Sequence, residues 1–521
     1  MINYWWVTRP KRKLNSIPDV LATFSEISLN QEWEGQRDSH LTLEEALEKS
    51  GLKRVGERRD KTGGGGRTYK AWVSSLGLLF TQQCTGQIKL TLAGEAIMNG
   101  ASPVKVLTAQ IIKYQFPSAY SLGRGINVSS RFRIRPFLFL LRLLMDERIK
   151  YLTEEEIAKV VITEAENESS ACFEYIVKKI SDFRCYGDKI LEENFAETYR
   201  PSKGKINFNR PFAHLEAIAN TIVNWLEYTQ LVIRENGIIS ILKDKVDEVE
   251  QIVNNPPPFI DRPHDHEYFQ RKYGVDPSRT KDTRNLTESR TITSKMIAEN
   301  KVKQLYIAES IKQPITKIDS RIVSDIAEKS GFDERLVEEI LLKFYPSGSI
   351  GAFMTEYFEM AFRGQDDATD FERSTAQIFA ELFNFETFHV GPIGLTPDIL
   401  ILSDEDGYQA ILDNKAYHSY SISNDHHNRM VHNYIGGLGK YSNSKLPLAF
   451  FSYISGGFGT NINSQINRIY DETNVKGSAM TVSNLIHLIE NYSERSMTHR
   501  FLRELFSVNR QILKSDIDSK L

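Results

Sequence analysis

The sequence contains little cysteine, no long apolar run and almost no net charge. Three cysteines in 521 residues are too few for a disulfide-stapled scaffold or a cysteine-based zinc finger, and they suit a reducing compartment. The longest apolar run, 137–145, is interrupted by Arg142 and is shorter than the roughly 18 residues that a membrane span needs. The first residues lack the apolar stretch of a signal peptide. We therefore expect a cytoplasmic protein that has no membrane partner.

The charge is distributed unevenly, although the net charge is only −3. Residues 1–150 carry 23 Lys and Arg against 13 Asp and Glu, a balance of +10, whereas residues 151–521 carry 42 against 55, a balance of −13. A basic segment attracts a polyanion such as nucleic acid, and a solvated basic face without a partner is the alternative. The candidate DNA-binding side chains are Arg9, Lys11, Arg12, Lys13, Lys61, Arg67, Lys70, Arg131 and Arg133.

The N-terminal region shows a pattern typical of a winged helix-turn-helix, a DNA-binding fold of short helices with a basic strand–loop–strand. The predicted elements are a helix over 41–50, a flexible basic loop at the glycines of 61–67, strands over 69–81 and 86–91, and helices over 92–98, 103–115 and within 131–145. Residues 153–185, 211–250 and 285–345 are predicted to be mainly helical. A proline run at 256–258 marks a boundary.

From about residue 346 helical and strand patterns alternate. The predicted elements are a helix over 366–383, strands over 387–391, 398–403 and 408–413, a helix over 425–434, a strand over 447–455, a helix over 461–471, a strand over 478–481 and a helix over 482–492. This order predicts an α/β domain with a small mixed sheet. The whole chain is therefore expected to be of mixed α+β class, with a mostly helical N-terminal half.

Two acidic residues and a lysine lie at the ends of two of these predicted strands. Asp398 begins one strand, and Asp413 and Lys415 end the next. Residues two apart point to the same face of a strand, so Asp413 and Lys415 share a face and a neighbouring strand can bring Asp398 alongside. Two close carboxylates repel each other unless a cation lies between them, and their hard oxygen atoms favour Mg²⁺.

This is the PD-(D/E)xK pattern of metal-dependent nucleases. The metal lowers the pKa of a bound water and offsets phosphate charge, while Lys415 orients that water or stabilises the developing charge. Glu372, on the preceding predicted helix, is a further candidate acid. Surface charge at strand ends is the alternative for the acidic pair and the lysine, and surface charge on a helix is the alternative for Glu372.

Further motifs accompany the acidic pair in a fixed order. They are Phe371-Glu372, Thr396-Pro-Asp398, Leu412-Asp-Asn-Lys-Ala-Tyr417, Phe450-Phe-Ser-Tyr-Ile-Ser-Gly-Gly-Phe-Gly459, Gln465-Ile-Asn-Arg468 and 474–482. With them, residues 366–492 resemble the FokI-like cleavage domain of type IIS restriction endonucleases. Residues 70–145 resemble the recognition region of AlwI-type and nicking endonucleases. The motifs there are Leu90-Thr-Leu-Ala-Gly-Glu95, Lys113-Tyr-Gln-Phe-Pro-Ser118 and Arg135-Pro-Phe137.

The resemblance implies a role for each matching residue. Asp398 and Asp413 would be metal ligands, the carbonyl of Asn414 would complete the shell around Mg²⁺, and Lys415 would be the catalytic lysine. The helix at about 425–434 would mediate dimerisation of the nuclease domain. The resembled enzymes are bacterial, so the same source is expected here.

We therefore predict a Mg²⁺-dependent type IIS endonuclease that cuts double-stranded DNA at a fixed distance from an asymmetric site. The expected segments are a basic winged-helix-like recognition subdomain (1–150), a second helical recognition subdomain (151–255), a linker or helical connector (256–345) and the nuclease domain (346–521). Double-strand cleavage implies a transient homodimer or a smaller nuclease subunit as a partner.

Several alternatives remain open at this point. The chain could be a strand-specific nicking endonuclease or the large subunit of a heterodimeric enzyme. It could also be a non-catalytic DNA-binding protein with a degenerate nuclease-like domain. An acidic protein-interaction module with a coincidental DxK is the last alternative, and it predicts no salt-dependent affinity for DNA.

Overall fold

The computed structural model describes residues 1–55, 62–122, 126–202, 206–207, 209–235, 237–286, 293–362, 364, 368–389, 396–491 and 498–520. The chain divides into two compact units. The first unit consists of residues 1–308 and 318–346, and the second of residues 309–317 and 347–521. Within the described ranges, every helix is too short or too polar to cross a lipid bilayer.

The first unit begins with three helices followed by an antiparallel hairpin, the element order of a winged helix. These elements are α1 (Ile17–Ser28), α2 (Arg37–Lys49), α3 (Gly64–Ser75), β1 (Leu79–Thr81) and β2 (Ile88–Leu90). Two predictions are wrong in part here, because residues 64–67 of the predicted loop and residues 69–75 of the predicted strand belong to α3. Tyr69, Trp72 and Val73 are buried on the inner face of this helix.

The glycines at the start of α3 allow it to lie very close to α2. A Cβ atom at Gly66 would come within 3.0 Å of the carbonyl oxygen of His40, and one at Gly65 would lie 2.5 Å from Oε1 of Glu44. The Gly65 N–H also donates a hydrogen bond of 3.2 Å to the carboxylate of Glu44. Tight packing between the two helices therefore offsets the poor intrinsic helix propensity of glycine.

The rest of the first unit is mainly helical. Its elements are α4 (Leu92–Met98), α5 (Pro103–Lys113), α6 (Pro136–Met145), β3 (Leu152–Thr153), α7 (Glu154–Glu156), α8 (Ile162–Glu164), α9 (Ser170–Tyr186), α10 (Phe195–Thr198), α11 (Ala213–Tyr228), β4 (Val232–Glu235), β5 (Ile238–Ile241), α12 (Val246–Asn254), α13 (His266–Tyr273), α14 (Ser294–Lys312), α15 (Ser320–Ser330) and α16 (Glu334–Phe344). Strands β3, β5 and β4 form an antiparallel sheet in that order. The prediction of helix is wrong at 232–241, where β-branched residues favour a hairpin.

The segment after the proline run packs onto α5 within the first unit. The Lys113 ammonium donates to the carbonyl oxygens of Tyr273 and Val275, both at 2.8 Å. The side chain of Gln115 exchanges two hydrogen bonds with the backbone of Ile260, at 2.8 and 2.9 Å. Most of the predicted connector, 256–308 and 318–345, thus belongs to the first compact unit. The functional division of the chain into recognition, connector and nuclease parts stays a prediction.

The second unit is built on a six-stranded mixed sheet with the order β11-β10-β9-β8-β7-β6. Strands β6, β7 and β8 are antiparallel, whereas β8, β9, β10 and β11 are parallel. The elements are α17 (Gly351–Met360), α18 (Ala368–Gln377), β6 (Glu386–His389), β7 (Ile399–Ser403), β8 (Tyr408–Lys415), α19 (Asn424–Asn428), β9 (Leu448–Ser455), α20 (Ile462–Thr473), β10 (Lys476–Thr481), α21 (Val482–Glu490), α22 (His499–Phe506), β11 (Arg510–Ile512) and α23 (Lys514–Asp518). The predicted mixed sheet is confirmed, and α17, α22, β11 and α23 are additional elements.

The sheet separates two apolar cores, and β8 contributes to both. Ala410 and Leu412 lie in one core with residues of α17, α18, α21 and α22, whereas Ile411 lies in the other with residues of α20. Because side chains alternate along a strand, Asp413 and Lys415 lie on the face of Ile411. Asn414 lies on the opposite face, toward α18. The strand therefore places one polar cluster on each side of the sheet.

Candidate active site

The register of β7 and β8 brings the predicted acidic residues together. Ile399 pairs with Leu412 in this antiparallel ladder, so Asp398 lies beside Asp413. The Lys415 ammonium is 2.6 Å from Oδ2 of Asp413 and 3.8 Å from Oδ2 of Asp398. The two carboxylates and the lysine thus share one face at one edge of the sheet, and the spacing had predicted the shared face of Asp413 and Lys415.

The peptide groups of Asn414 take part in the same cluster. Its backbone N–H donates to Oδ2 of Asp398 at 2.7 Å, and its carbonyl oxygen accepts from the Lys415 ammonium at 3.1 Å. The predicted third ligand group therefore lies at the centre of the site. Its carbonyl oxygen is close to the lysine and on the same strand as Asp413.

Burial makes the electrostatics of this cluster strong. Burial, and then the charge of Asp413, raise the pKa of Asp398 well above its ordinary value. Burial disfavours the charged form of Lys415, but the two carboxylates outweigh that effect and raise its pKa. The lysine is therefore an ammonium at neutral pH, whereas burial and the charge of Asp413 disfavour the ionised form of Asp398. A bound cation would favour that ionised form.

The donor set fits a hard divalent cation. Oδ1 of Asp413 is buried and makes no hydrogen bond to any described residue, so it is an acceptor without a donor. Asp398 and the carbonyl of Asn414 supply two further hard oxygen atoms. No group of three or more His, Cys, Asp or Glu residues close enough to bind a metal occurs in the described ranges. Water and phosphate oxygens would complete the shell, an arrangement that Mg²⁺ prefers.

Glu372 lies on α18 and faces a different partner. Its Oε2 atom is 3.1 Å from Nε2 of His389, on the edge strand β6. The carboxylate is nevertheless near enough to contribute to the raised pKa of Asp398. A direct catalytic role of Glu372 stays a prediction.

Several polar residues around the site were not among the predicted site residues. On the lysine side, the hydroxyl group of Tyr420 is 2.8 Å from Nδ1 of His426, and Tyr453 lies beside Asp413 in the ladder of β8 and β9. Burial and the charge of Asp413 raise the pKa of Tyr434 to about 12. These residues come from separate segments, and only the alternation of β9 could have pointed to Tyr453.

The predicted DNA-binding residues differ in how they are placed. Arg12, Lys13 and Arg133 are exposed, whereas Arg9, Lys11, Arg67, Lys70 and Arg131 are partly buried. Burial lowers the pKa of Arg9, Lys11 and Lys70. Arg67 bonds to the hydroxyl group of Thr62 at 3.0 Å. Lys61 lies outside the described residues.

Arg131 is partly buried and bonded to several groups of the first unit. Its guanidinium donates to Oδ1 of Asn3 at 2.7 Å, to the carbonyl oxygen of Asn3 at 2.9 Å, to Glu166 at 2.6 Å and to the carbonyl oxygen of Thr163. These contacts fasten the N-terminal segment to the residues before α9. The structure therefore supports a structural role for Arg131, in contrast to the exposed Arg133.

Residues 331–513 match the family model of the FokI cleavage domain. The resemblance drawn from the C-terminal motifs is therefore confirmed. No curated protein matches the chain.

Among solved structures, the chain is similar to restriction endonuclease FokI, both free and bound to DNA. The identities are 14% and 13% and the TM-scores 0.29 and 0.28, and both matches cover 98% of this chain and 100% of FokI. The chain is also similar to the BpuJ1 endonuclease binding domain in complex with pyrene- and phenanthrene-modified DNA. That match has 15% identity, a TM-score of 0.34, and covers 52% of this chain and 96% of the other.

Proposed function

We propose that this chain, which carries a FokI-type cleavage domain over residues 331–513, is a type IIS restriction endonuclease. It would hydrolyse double-stranded DNA at a fixed distance outside an asymmetric site, with Mg²⁺ as the cofactor. One observation carries the proposal. Asp398, Asp413 and Lys415 lie together at one sheet edge inside the matched region, with the lysine within 3.8 Å of both carboxylates.

Each group at this edge has a role in phosphodiester hydrolysis. Bound Mg²⁺ would supply a Lewis acid that lowers the barrier by offsetting phosphate charge. Asp398, Asp413 and the Asn414 carbonyl would hold it. Lys415, charged at neutral pH, would orient the attacking water and stabilise the charge that develops on the phosphate. By analogy with the resembled family, in-line attack would leave a 5′-phosphate and a 3′-hydroxyl.

The first unit would recognise the DNA site. Its winged-helix order and the balance of +10 over residues 1–150 support contact with a polyanion. Exposed basic side chains such as Arg12 and Arg133 would bind phosphates and set the position on the duplex, while other side chains read base edges in the major groove.

Cleavage of both strands would need a second active site, because one site cuts one strand. We propose a transient homodimer through the helical segment that begins with α19. Within this segment Arg429 forms a 2.8 Å ion pair with Asp425, and both side chains are substantially exposed. A chain that remains monomeric at the DNA would act as a nicking enzyme.

The test is digestion of supercoiled plasmid by the full chain with Mg²⁺, followed by mapping of the ends. We expect discrete fragments from the wild type, and cleavage by Asp413→Asn reduced at least about a hundredfold, because the exchange removes a ligand charge while preserving side-chain size. Asp404→Asn is the matched control, since Asp404 is exposed in the turn between the same two strands. It should cleave like the wild type, and EDTA should abolish cleavage by both.

The pattern of products separates the alternatives. Ends at one offset from a shared sequence support type IIS cleavage, whereas open circles alone indicate nicking or a missing partner subunit. Plasmids of diverse sequence that all remain intact would contradict the proposed nuclease activity.

A further inference from the structure

A buried chain of hydrogen bonds lies behind the active site, on the opposite face of the sheet. The side-chain amide of Asn414 donates to Oγ1 of Thr375 at 2.5 Å and to the carbonyl oxygen of Phe371 at 3.4 Å. Thr375 lies on α18 and is fully buried. Its Oγ1 atom is also 2.8 Å from the hydroxyl group of Tyr357, a buried residue of α17.

The hydrogen-bond capacity of the Thr375 hydroxyl group determines the direction of these bonds. A hydroxyl group has one donor hydrogen and two acceptor lone pairs. The hydrogen is used at 2.9 Å on the carbonyl oxygen of Phe371. With that hydrogen on Phe371, Tyr357 and Asn414 both donate to Thr375, whose hydrogen-bonding capacity is then fully used.

This chain of bonds acts on the residue whose backbone serves the active site. The N–H of Asn414 holds Asp398 at 2.7 Å, and its carbonyl oxygen is 3.1 Å from the ammonium of Lys415. The side chain is thus anchored on one face of the sheet while the peptide groups contact the catalytic groups on the other. Buried bonds of this kind are strong because the local dielectric is low.

We propose that Thr375 and Tyr357 are positioning residues that fix the Asn414 peptide group for metal binding. The inference rests on the proposed nuclease function. Valine at position 375 would keep the shape of threonine but remove the acceptor that the amide of Asn414 shares with the hydroxyl group of Tyr357. Only the longer bond of 3.4 Å to the carbonyl oxygen of Phe371 would then hold the amide. Such supporting contacts commonly change metal affinity by about 10- to 100-fold in metalloproteins.

The experiment measures Mn²⁺ binding to the full chain without DNA, by electron paramagnetic resonance. We expect Thr375→Val to weaken Mn²⁺ binding about tenfold and Tyr357→Phe to weaken it less, because the amide of Asn414 keeps its acceptor in the second variant. Thr355→Val is the matched control. Thr355 is a buried residue of α17 whose hydroxyl group makes no hydrogen bond to any described residue, and its removal should leave binding unchanged.

A second measurement separates positioning from loss of folding. Thermal unfolding of each variant shows whether it is folded, and if Thr375→Val is not, Tyr357→Phe carries the test. In plasmid cleavage, the Mg²⁺ concentration for half-maximal rate should rise several-fold, with KM for DNA unchanged.

Two failures are distinguishable. In the first, the wild type binds Mn²⁺ and Asp413→Asn does not, but Thr375→Val and Tyr357→Phe bind it as tightly as Thr355→Val does. That result would overturn this inference and leave the nuclease proposal standing. Absence of any Mn²⁺ binding that depends on Asp413 would overturn both.

Discussion

At the scale of single residues, basic side chains of this protein have different roles that depend on the groups around them. Arg131 and Arg133 are two positions apart in a basic segment, yet Arg131 is partly buried and bonded to Asn3 and Glu166 while Arg133 is exposed. The number of basic residues in this segment does not show which of the two arginines is exposed. Lys113 is another basic residue with an internal role, because it holds the backbone at Tyr273 and Val275.

The buried Lys113 predicts a pH-dependent contribution to stability. Burial lowers its pKa in the folded chain from 10.5 to about 8. Between pH 8 and 10.5 the unfolded chain therefore holds a proton that the folded chain has released, and this residue makes the free energy of unfolding rise with pH. Below pH 8 both states are protonated and the contribution is constant.

Exchange of Lys113 tests this contribution. Lys113→Met should lower the free energy of unfolding by about 1–3 kcal/mol at pH 7, because two carbonyl groups lose their donor. In urea unfolding, the difference in the free energy of unfolding between the wild type and Lys113→Met should increase from pH 8 to pH 10. Lys105→Met, an exposed position of the same helix, should show no gap that changes with pH. If that difference for Lys113→Met does not change with pH, the lowered pKa assigned to Lys113 is contradicted.

At the scale of elements, tertiary packing explains why the glycine-rich residues 64–67 form a helix. Four consecutive glycines predict a loop, since each is unfavourable within a helix by about 1 kcal/mol. In the structure Gly64, Gly65 and Gly66 begin α3, and a Cβ atom at Gly65 or Gly66 would meet residues of α2. The same helix, the third of the first unit, carries Arg67 and Lys70.

Gly66→Ala should therefore destabilise the first unit although alanine is the better helix former. The added methyl group meets the carbonyl oxygen of His40, so we expect a loss of about 1–3 kcal/mol in the free energy of unfolding, measured with urea. Thr68→Ala, at an exposed position of α3, is the control and should change stability by less than about 0.5 kcal/mol. A stabilised Gly66→Ala variant would refute the close approach of the two helices.

At the scale of the whole molecule, the basic and acidic residues are concentrated in different parts of the chain. The balance of +10 over residues 1–150 lies in the first unit, which we propose binds DNA, and the acidic remainder of the chain includes the cleavage domain. Net charge bears on association with polyanions and not on the fold.

The dependence of DNA affinity on salt tests this arrangement. In the cleavage-deficient Asp413→Asn chain, Arg133→Gln should reduce the slope of log affinity against log salt by about 1, as expected for one lost phosphate contact. Fluorescence anisotropy with a labelled duplex over a series of KCl concentrations gives the slope. Arg148→Gln is the control, because Arg148 is bound by Asp146 and Glu174. Equal slopes for Arg133→Gln and the parent would remove Arg133 from the DNA-binding surface.

Local patterns in the sequence by themselves determined the cleavage-domain resemblance, the mixed sheet and the shared face of Asp413 and Lys415. These properties depend on strand periodicity and motif order, which are readable over a few residues. Three features needed the folded chain: Asp398 lies beside Asp413, Arg131 is bonded to Asn3 and Glu166, and Thr375 and Tyr357 contact Asn414 or each other behind the active site. Those contacts join segments distant in the chain, and their geometry depends on strand register and helix packing, which no local pattern contains.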